Sequence, residues 1–255
     1  MTPPAQRGPS ALPPIRRIKA CLNGGRSEPF VPRRPAELSA SATGAVAAGA
    51  EAVHLHPRDA AGRESLAAQD IGPAVRAVRA AGVPVGVSTG LWMTGGDAAR
   101  RFELVAAWAT LPDRPDFASV NVSEDGYDDL VTLLAGMGVA VEAGVWSPAD
   151  AARVGPADRV LVEVIGAAAP EAVPAADAIL ARLGGVGGTD VPILLHGEDE
   201  ACWPLVAHAG RLGLPTRVGF EDTLTGPSGE PVATNAELVR LALRVWAGAA
   251  RPTPG

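Results

Sequence analysis

Long apolar runs are missing from this 255-residue chain, and with them any stretch of the roughly 18 residues that a membrane-spanning helix requires. The opening segment "MTPPAQRGPSALPPIRRIK" likewise lacks the apolar stretch of a signal peptide, so the cytoplasm is the expected compartment. Cysteine is scarce. Cys21 and Cys202 are too few and too far apart for a disulfide framework and are expected to be reduced, buried small residues. Positive charge is in deficit too: 22 Lys and Arg stand against 28 Asp and Glu, and the arginines are scattered rather than gathered in a stripe. That argues against a nucleic-acid binder and for a small-molecule partner. A Gly-rich phosphate fingerprint is also absent. "NGGR" at 23–26 is not one, and "GGVGGTD" at 184–190 precedes a strand candidate instead of opening a helix.

What is present is an orderly alternation. With 47% hydrophobic residues and a net charge of −6, the chain fits one sizeable domain. Strand candidates fall at 17–23, 52–57, 84–90, 117–122, 140–146, 159–165, 192–197 and 216–222. Each is followed by an Ala-rich segment of helical period, several opening on a capping residue such as Asp97, Ser147 or Thr234. Eight such units predict an α/β fold of the TIM (β/α)8 barrel type over residues 15–250. A flexible Pro-rich tail is expected at 1–14 and a short one at 251–255. An open doubly wound sheet is the alternative architecture.

In a barrel of this type the functional groups gather at the carboxyl ends of the strands. Those ends read Asn23; His54 and His56; Ser88 and Thr89; Asn121; Glu142; His196; and Glu221 with Asp222. Polar residues at the same end of most strands are hard to account for as packing. Four histidines are available, and two of them sit in "VHLHPRD", where strand alternation puts His54 and His56 on one face. Such a pair suggests a metal that needs a third ligand. Barrel closure makes Glu221 the best candidate, with His196 as rival. Asp222 reads equally as a loop-stabilising or capping aspartate, and Arg58 with Asp59 as a rim ion pair.

The segments "VHLHPRD", "GVSTG", "ASVNVSEDG", "VEAGVW" and "RVGFEDTLTGPSGEPVATNAELVRLA" resemble the β-keto acid cleavage enzymes, zinc TIM barrels whose first-described member cleaves 3-keto-5-aminohexanoate. The match runs in order from about residue 17 to 247. The chain departs from the family at "LNGGR", where a Thr-Gly-Ala turn is more usual, and at "EAGVW", a reduced form of an acidic-aromatic pattern. The resemblance implies that His54, His56 and Glu221 bind Zn2+ or another divalent metal. It implies Asp222 as general base supported by Arg217, and Ser88 and Asn121 as contacts to the keto acid. Thr89 joins the expected substrate-binding set, and Glu142 is placed there as partner of an amino group, unless it orients Arg217 or a water.

The implied reaction condenses a β-keto acid with acetyl-CoA to give acetoacetate and a new acyl-CoA, a zinc-dependent acyl transfer with carbon–carbon cleavage. The metal polarises a carbonyl, a carboxylate base removes a proton from acetyl-CoA, and CoA moves to the other acyl group. The resemblance also implies a homo-oligomer, a dimer or tetramer. Other readings are a metal-dependent hydrolase or class II aldolase-like lyase, for which the sixth strand offers only Glu163, or a barrel that binds a metabolite without catalysis.

Overall fold

The structure, a computed structural model, describes residues 12–250. Among these, eight parallel strands form one sheet: β1 (Ile18–Cys21), β2 (Ala52–Leu55), β3 (Val85–Ser88), β4 (Phe117–Asn121), β5 (Ala140–Val145), β6 (Arg159–Val164), β7 (Ile193–Gly197) and β8 (Thr216–Val218). Their order is β7-β6-β5-β4-β3-β2-β1-β8. Between the two end strands the ladder reduces to the Leu195 amide donating to the Pro215 carbonyl at 3.0 Å, so the barrel is nearly closed. The helices alternate with the strands: α1 (Pro35–Ala47), α2 (Ala68–Arg79), α3 (Ala98–Ala106), α4 (Tyr127–Gly136), α5 (Pro148–Ala151), α6 (Ala169–Arg182), α7 (Cys202–Leu212) and α8 (Asn235–Ala249). This is the TIM barrel expected from the alternation.

Local chemistry accounts for the element boundaries. Asp97, Ser147 and Thr234 each accept a hydrogen bond from the backbone three residues on, capping α3, α5 and α8 as anticipated. The segment expected as a helix over 147–155 shrinks to the single turn of α5. Among the described residues no helix is long and apolar enough to cross a membrane. Cys21 and Cys202 are free and buried.

Period-two alternation sends the two faces of each strand to different cores. Val53, Leu55, Val85, Val87, Val160 and Val162 face outward into the apolar layer beneath the helices. Inside the barrel the base is apolar: Ala52, Phe117, Leu161 and Leu194 pack with Ile15. Leu12, within the expected N-terminal tail, packs against this same cluster. Residues 1–11 and 251–255 of the two expected tails lie outside the described residues. Gly86 makes room for the Phe117 ring, which a Cβ there would strike.

Around the Phe117 ring of that plug the interior turns ionic. Lys19 on β1, the chain's single lysine, donates to Glu142 Oε2 of β5 at 2.6 Å, and Arg159 of β6 pairs with Glu142 Oε1. Both cations lie over the Phe117 ring, at 5.5 and 5.8 Å from its centroid. Burial disfavours the Glu142 carboxylate, yet Lys19 and Arg159 hold its pKa down to about 2.

Candidate active site

The next interior level is the mouth. Asn23, just past β1, fixes the backbone of His56 from both sides: its Nδ2 donates to the His56 carbonyl and its Oδ1 accepts from the His56 amide, each at 2.8 Å. This side-chain clamp extends the β1–β2 ladder beyond the strands. The two imidazoles then stand edge to face, 5.2 Å between centroids. Their Nε2 atoms converge on Glu221 Oε2, at 3.8 Å from His54 and 3.5 Å from His56.

Glu221 and Asp222 reach the same place by a turn. The strand expected over 216–222 ends at Val218, and the amides of Asp222 and Thr223 both donate to the Gly219 carbonyl, at 2.9 and 3.0 Å. Strand alternation is thereby broken, so adjacent carboxylates both meet Arg217. The Arg217 Nη2 donates to Glu221 Oε1 at 2.8 Å and its Nε to Asp222 Oδ1 at 2.9 Å. A second acidic group, Glu198 with Glu221 and Asp222, also has metal-like spacing. The Arg217 guanidinium, 3.5 Å from Glu198 and 2.8 Å from each of the other two, already occupies its centre.

The remaining oxygen, Glu221 Oε2, is buried with no hydrogen-bond partner among the described residues. Burial works against its ionisation, but Arg217 first and then His56 hold the carboxyl well below the usual range. Burial also pushes His54 well below its ordinary value, keeping that ring neutral. A charged carboxylate oxygen without a donor, facing two ring nitrogens, is a donor set suited to a divalent cation such as zinc. His54, His56 and Glu221 form one such group, and His196 is outside it. His196 instead lies 3.1 Å from Glu163 Oε2 and 3.6 Å from Asp222 Oδ1.

A cavity of about 380 Å³ opens over this group, with Ser88, Asn121, Glu163, Trp146 and Arg217 among its walls. Ser88 and Asn121 thus stand where a substrate would meet them. Thr89 does not: it is fully buried, with its hydroxyl donating to the Ser119 carbonyl at 2.6 Å. Glu142 is also absent from the cavity. It lies on β5 two residues before Gly144, and Lys19 and Arg159 consume both its oxygens. Asp222 is fully buried beneath the cavity behind Arg217, and its Oδ2 has no partner. Burial pushes its carboxyl up to about 8 despite Arg217. Arg58 and Asp59 are not a pair, since Arg58 donates to the Gly24 carbonyl and Asp59 binds Arg63 at 2.9 Å.

Several residues that line the cavity were not singled out from the sequence. Glu163, weighed from the sequence only as a ligand for a hydrolase, stands one residue before the end of β6, so the strand-end rule that found Asn121 points to it too. Asn121 Nδ2 donates to Glu124 Oε1 at 2.9 Å, which turns Asn121 Oδ1 toward Gly144. A Cβ on Gly144 would collide with both Asn121 Oδ1 and Glu163 Oε1. Glu64, Trp92 and Glu198 come from loops and carry no periodic signal.

A protein-family model described as beta-keto acid cleavage enzyme matches residues 17–135 and 161–253. The unmatched interval holds β5, where "EAGVW" departs from the expected pattern. Among solved structures, ObcA in ternary complex with a C4-CoA adduct and oxalate superposes with a TM-score of 0.68 at 18% identity, over 87% of this chain and 64% of that one. This chain therefore spans just under two thirds of ObcA's length. The BexX/CysO complex of Amycolatopsis orientalis gives 0.60 at 14% identity, covering 94% and 93% of the two chains. Type I 3-dehydroquinate dehydratase from Clostridium difficile gives 0.59 at 11% identity, covering 91% and 92%. Likenesses at such identities establish the barrel alone. No curated protein matches the chain.

Proposed function

The chain belongs to the beta-keto acid cleavage enzyme family, and on that premise we propose that it is a metal-dependent enzyme converting a β-keto acid and acetyl-CoA into acetoacetate and a new acyl-CoA. The observation that carries this reading is the convergence of two imidazole Nε2 atoms on the donorless Glu221 Oε2 at the wall of a polar cavity. His54, His56 and Glu221 would hold the ion. Once bound, a divalent metal supplies Lewis acidity that polarises the keto oxygen of the substrate.

Atom balance decides which proton is removed. Acetoacetate here must carry the acid's own carboxylate and C2 joined to the acetyl group, so the bond that forms joins C2 to the acetyl carbon. The proton therefore leaves C2 of the β-keto acid, not the acetyl-CoA methyl implied by the resemblance. C2 lies between two carbonyl groups and is the more acidic position. The CoA thiolate released by that bond formation then attacks the former keto carbon, the old C2–C3 bond breaks with its electron pair left on C2, C2 takes back the proton from the base to give acetoacetate, and the new acyl-CoA leaves.

Asp222 takes the C2 proton in this reading, through the uncommitted Oδ2. Burial raises the basicity of this carboxylate, which favours proton abstraction by its ionised form. Arg217 lines the cavity and Asp222 does not, so proton transfer in this reading calls for the guanidinium to lean toward the anionic substrate. Ser88 and Asn121 contact the keto acid, while Glu163 and Trp146 face its variable end.

Incubating the metal-loaded protein with acetyl-CoA and a panel of β-keto acids, with acetoacetate as the readout, tests the proposal. Turnover of at least one acid, lost on chelation and restored by metal, is expected. Acetoacetate from none of them would reject it.

A further inference from the structure

Glu64 lies outside the strand-end set and outside the metal-capable group, yet it touches one ligand of that group directly. Its place follows from a hairpin that turns back on the metal strand. Residues 58 and 64 form an antiparallel bridge, the Asp59 amide donates to the Arg63 carbonyl at 2.8 Å, and the Ser65 amide donates to the Pro57 carbonyl at 2.9 Å. The Glu64 carboxylate is thereby brought against the far side of the His56 ring, where Oε1 meets Nδ1. The other oxygen, Oε2, accepts from Trp92 Nε1 at 3.1 Å. Trp92 comes from the 3-10 turn Leu91–Thr94 after β3 and stacks on His56, with 6.3 Å between centroids and 26° between planes.

Resting on the metal-site reading above, we propose that Glu64 is a positioning residue for the metal: it holds the Nδ1–H of His56 and so commits Nε2 to the ion. An imidazole can place its proton on either nitrogen, and only the nitrogen without one can ligate. The carboxylate on Nδ1 makes that choice, and the charge it brings raises the basicity of Nε2, 3.5 Å from Glu221 Oε2. Trp92 fixes the carboxylate and covers the ring, so two loops from different strands converge on one ligand. His54 has no such support: its Nδ1 is buried without a partner. The site is thus asymmetric, and His56 is the ligand whose orientation is set from outside the ligand group.

The test is metal affinity, measured by competition with a chromophoric chelator at fixed pH on the full chain. Removing the outer partner of a ligating histidine typically weakens binding about 10- to 100-fold, and Glu64→Ala is expected in that range. Glu64→Gln retains an oxygen that accepts the Nδ1–H but loses the charge, so its affinity should fall between wild type and Glu64→Ala. Ser65→Ala loosens the same hairpin, removing hydroxyl contacts to Asp70 and the Ala67 amide, and should bind metal as wild type does. In the cobalt-substituted protein the exchangeable ring proton of His56 should be visible by paramagnetic NMR, retained in Glu64→Gln and lost in Glu64→Ala. Wild-type affinity in Glu64→Ala, or in Glu64→Gln if the alanine variant does not fold, overturns the proposal. So does a Ser65→Ala loss as large as that of Glu64→Ala, which would make the hairpin itself the cause. A wild-type protein that takes up no metal overturns it together with the ligand assignment. Tight metal binding weakened by Glu64→Ala, without cleavage of any β-keto acid, leaves this inference standing and removes only the proposed reaction.

Discussion

At the residue scale, the proposed function gives the two neighbouring carboxylates of the "GFED" turn different tasks, metal binding to Glu221 and proton transfer to Asp222. Glu221→Gln removes the charge that faces His54 and His56, so metal content, read by elemental analysis, and activity should fall together. Asp222→Asn leaves those three groups intact and should keep the metal while kcat drops by about 10²–10⁴-fold, with a smaller change in KM. Near-normal turnover in the asparagine variant would remove Asp222 from the mechanism. Arg217 serves both carboxylates with its planar fork, and a lysine in its place supplies one point charge for two partners. Gly144 matters for the opposite reason. Its bare backbone lets Asn121 Oδ1 and Glu163 Oε1 lean over β5. Gly144→Ala should leave the melting temperature within a few degrees but lower kcat/KM by about tenfold or more, because misplacement of about 1 Å is costly in a preorganised site.

At the element scale, the short strand β8 depends on α8 to hold its turn in place. Asn235, the first residue of α8 and only 1% exposed, accepts from the Phe220 amide through Oδ1 at 2.8 Å. Its Nδ2 donates to the Leu22 carbonyl at 2.8 Å and to Ser41 Oγ at 2.9 Å. One side chain therefore joins the end of β1, helix α1, helix α8 and the turn that carries Glu221. Asn235→Ala strands a buried amide and a buried carbonyl, each worth about 1–3 kcal/mol when left unpaired. A loss of about 3 kcal/mol in denaturant unfolding is expected, with weaker metal binding because Glu221 is no longer anchored. An unfolding midpoint equal to wild type would show that water replaces the lost partner.

At the scale of the whole molecule, the buried Lys19–Glu142–Arg159 cluster spans the barrel interior from β1 to β5 and β6 over the Phe117 ring. Lys19→Met would leave Glu142 paired with Arg159 alone and its Oε2 without a donor, and a buried acceptor left unsatisfied costs about 1–3 kcal/mol. The pH dependence has a definite sign. Glu142 has a folded pKa of about 2, below its ordinary value near 4.5, so its contribution is present above about pH 4.5 and is lost as pH falls toward 2. Each unit of that depression corresponds to about 1.4 kcal/mol. Unfolding free energies of wild type and Glu142→Gln should therefore differ most above pH 4.5 and converge as pH falls to about 2. A difference that stays constant across that range would show that the charge on Glu142 contributes nothing.

Residue order alone determined the architecture and pointed to part of the candidate site. Eight apolar runs alternating with Ala-rich helical segments are enough for a barrel, because period two and period 3.6 each expose one buried face per element. The same-face pair His54 and His56, and the acidic end of the last strand, were legible for that reason. Alternation tells which face a residue takes, though not how high it stands inside the barrel. Height is set by register and stagger between strands. Only barrel closure, which brings Lys19 of β1 and Arg159 of β6 onto Glu142, takes it out of the mouth and into the ion cluster. Nor does periodicity reach into loops. Glu64 meets His56, Trp92 covers both, and Glu198 closes on Arg217 because a hairpin, a 3-10 turn and the loop after β7 fold over one rim. Those meetings join residues from different parts of the chain whose approach is fixed by barrel closure, and no spacing along the chain encodes them.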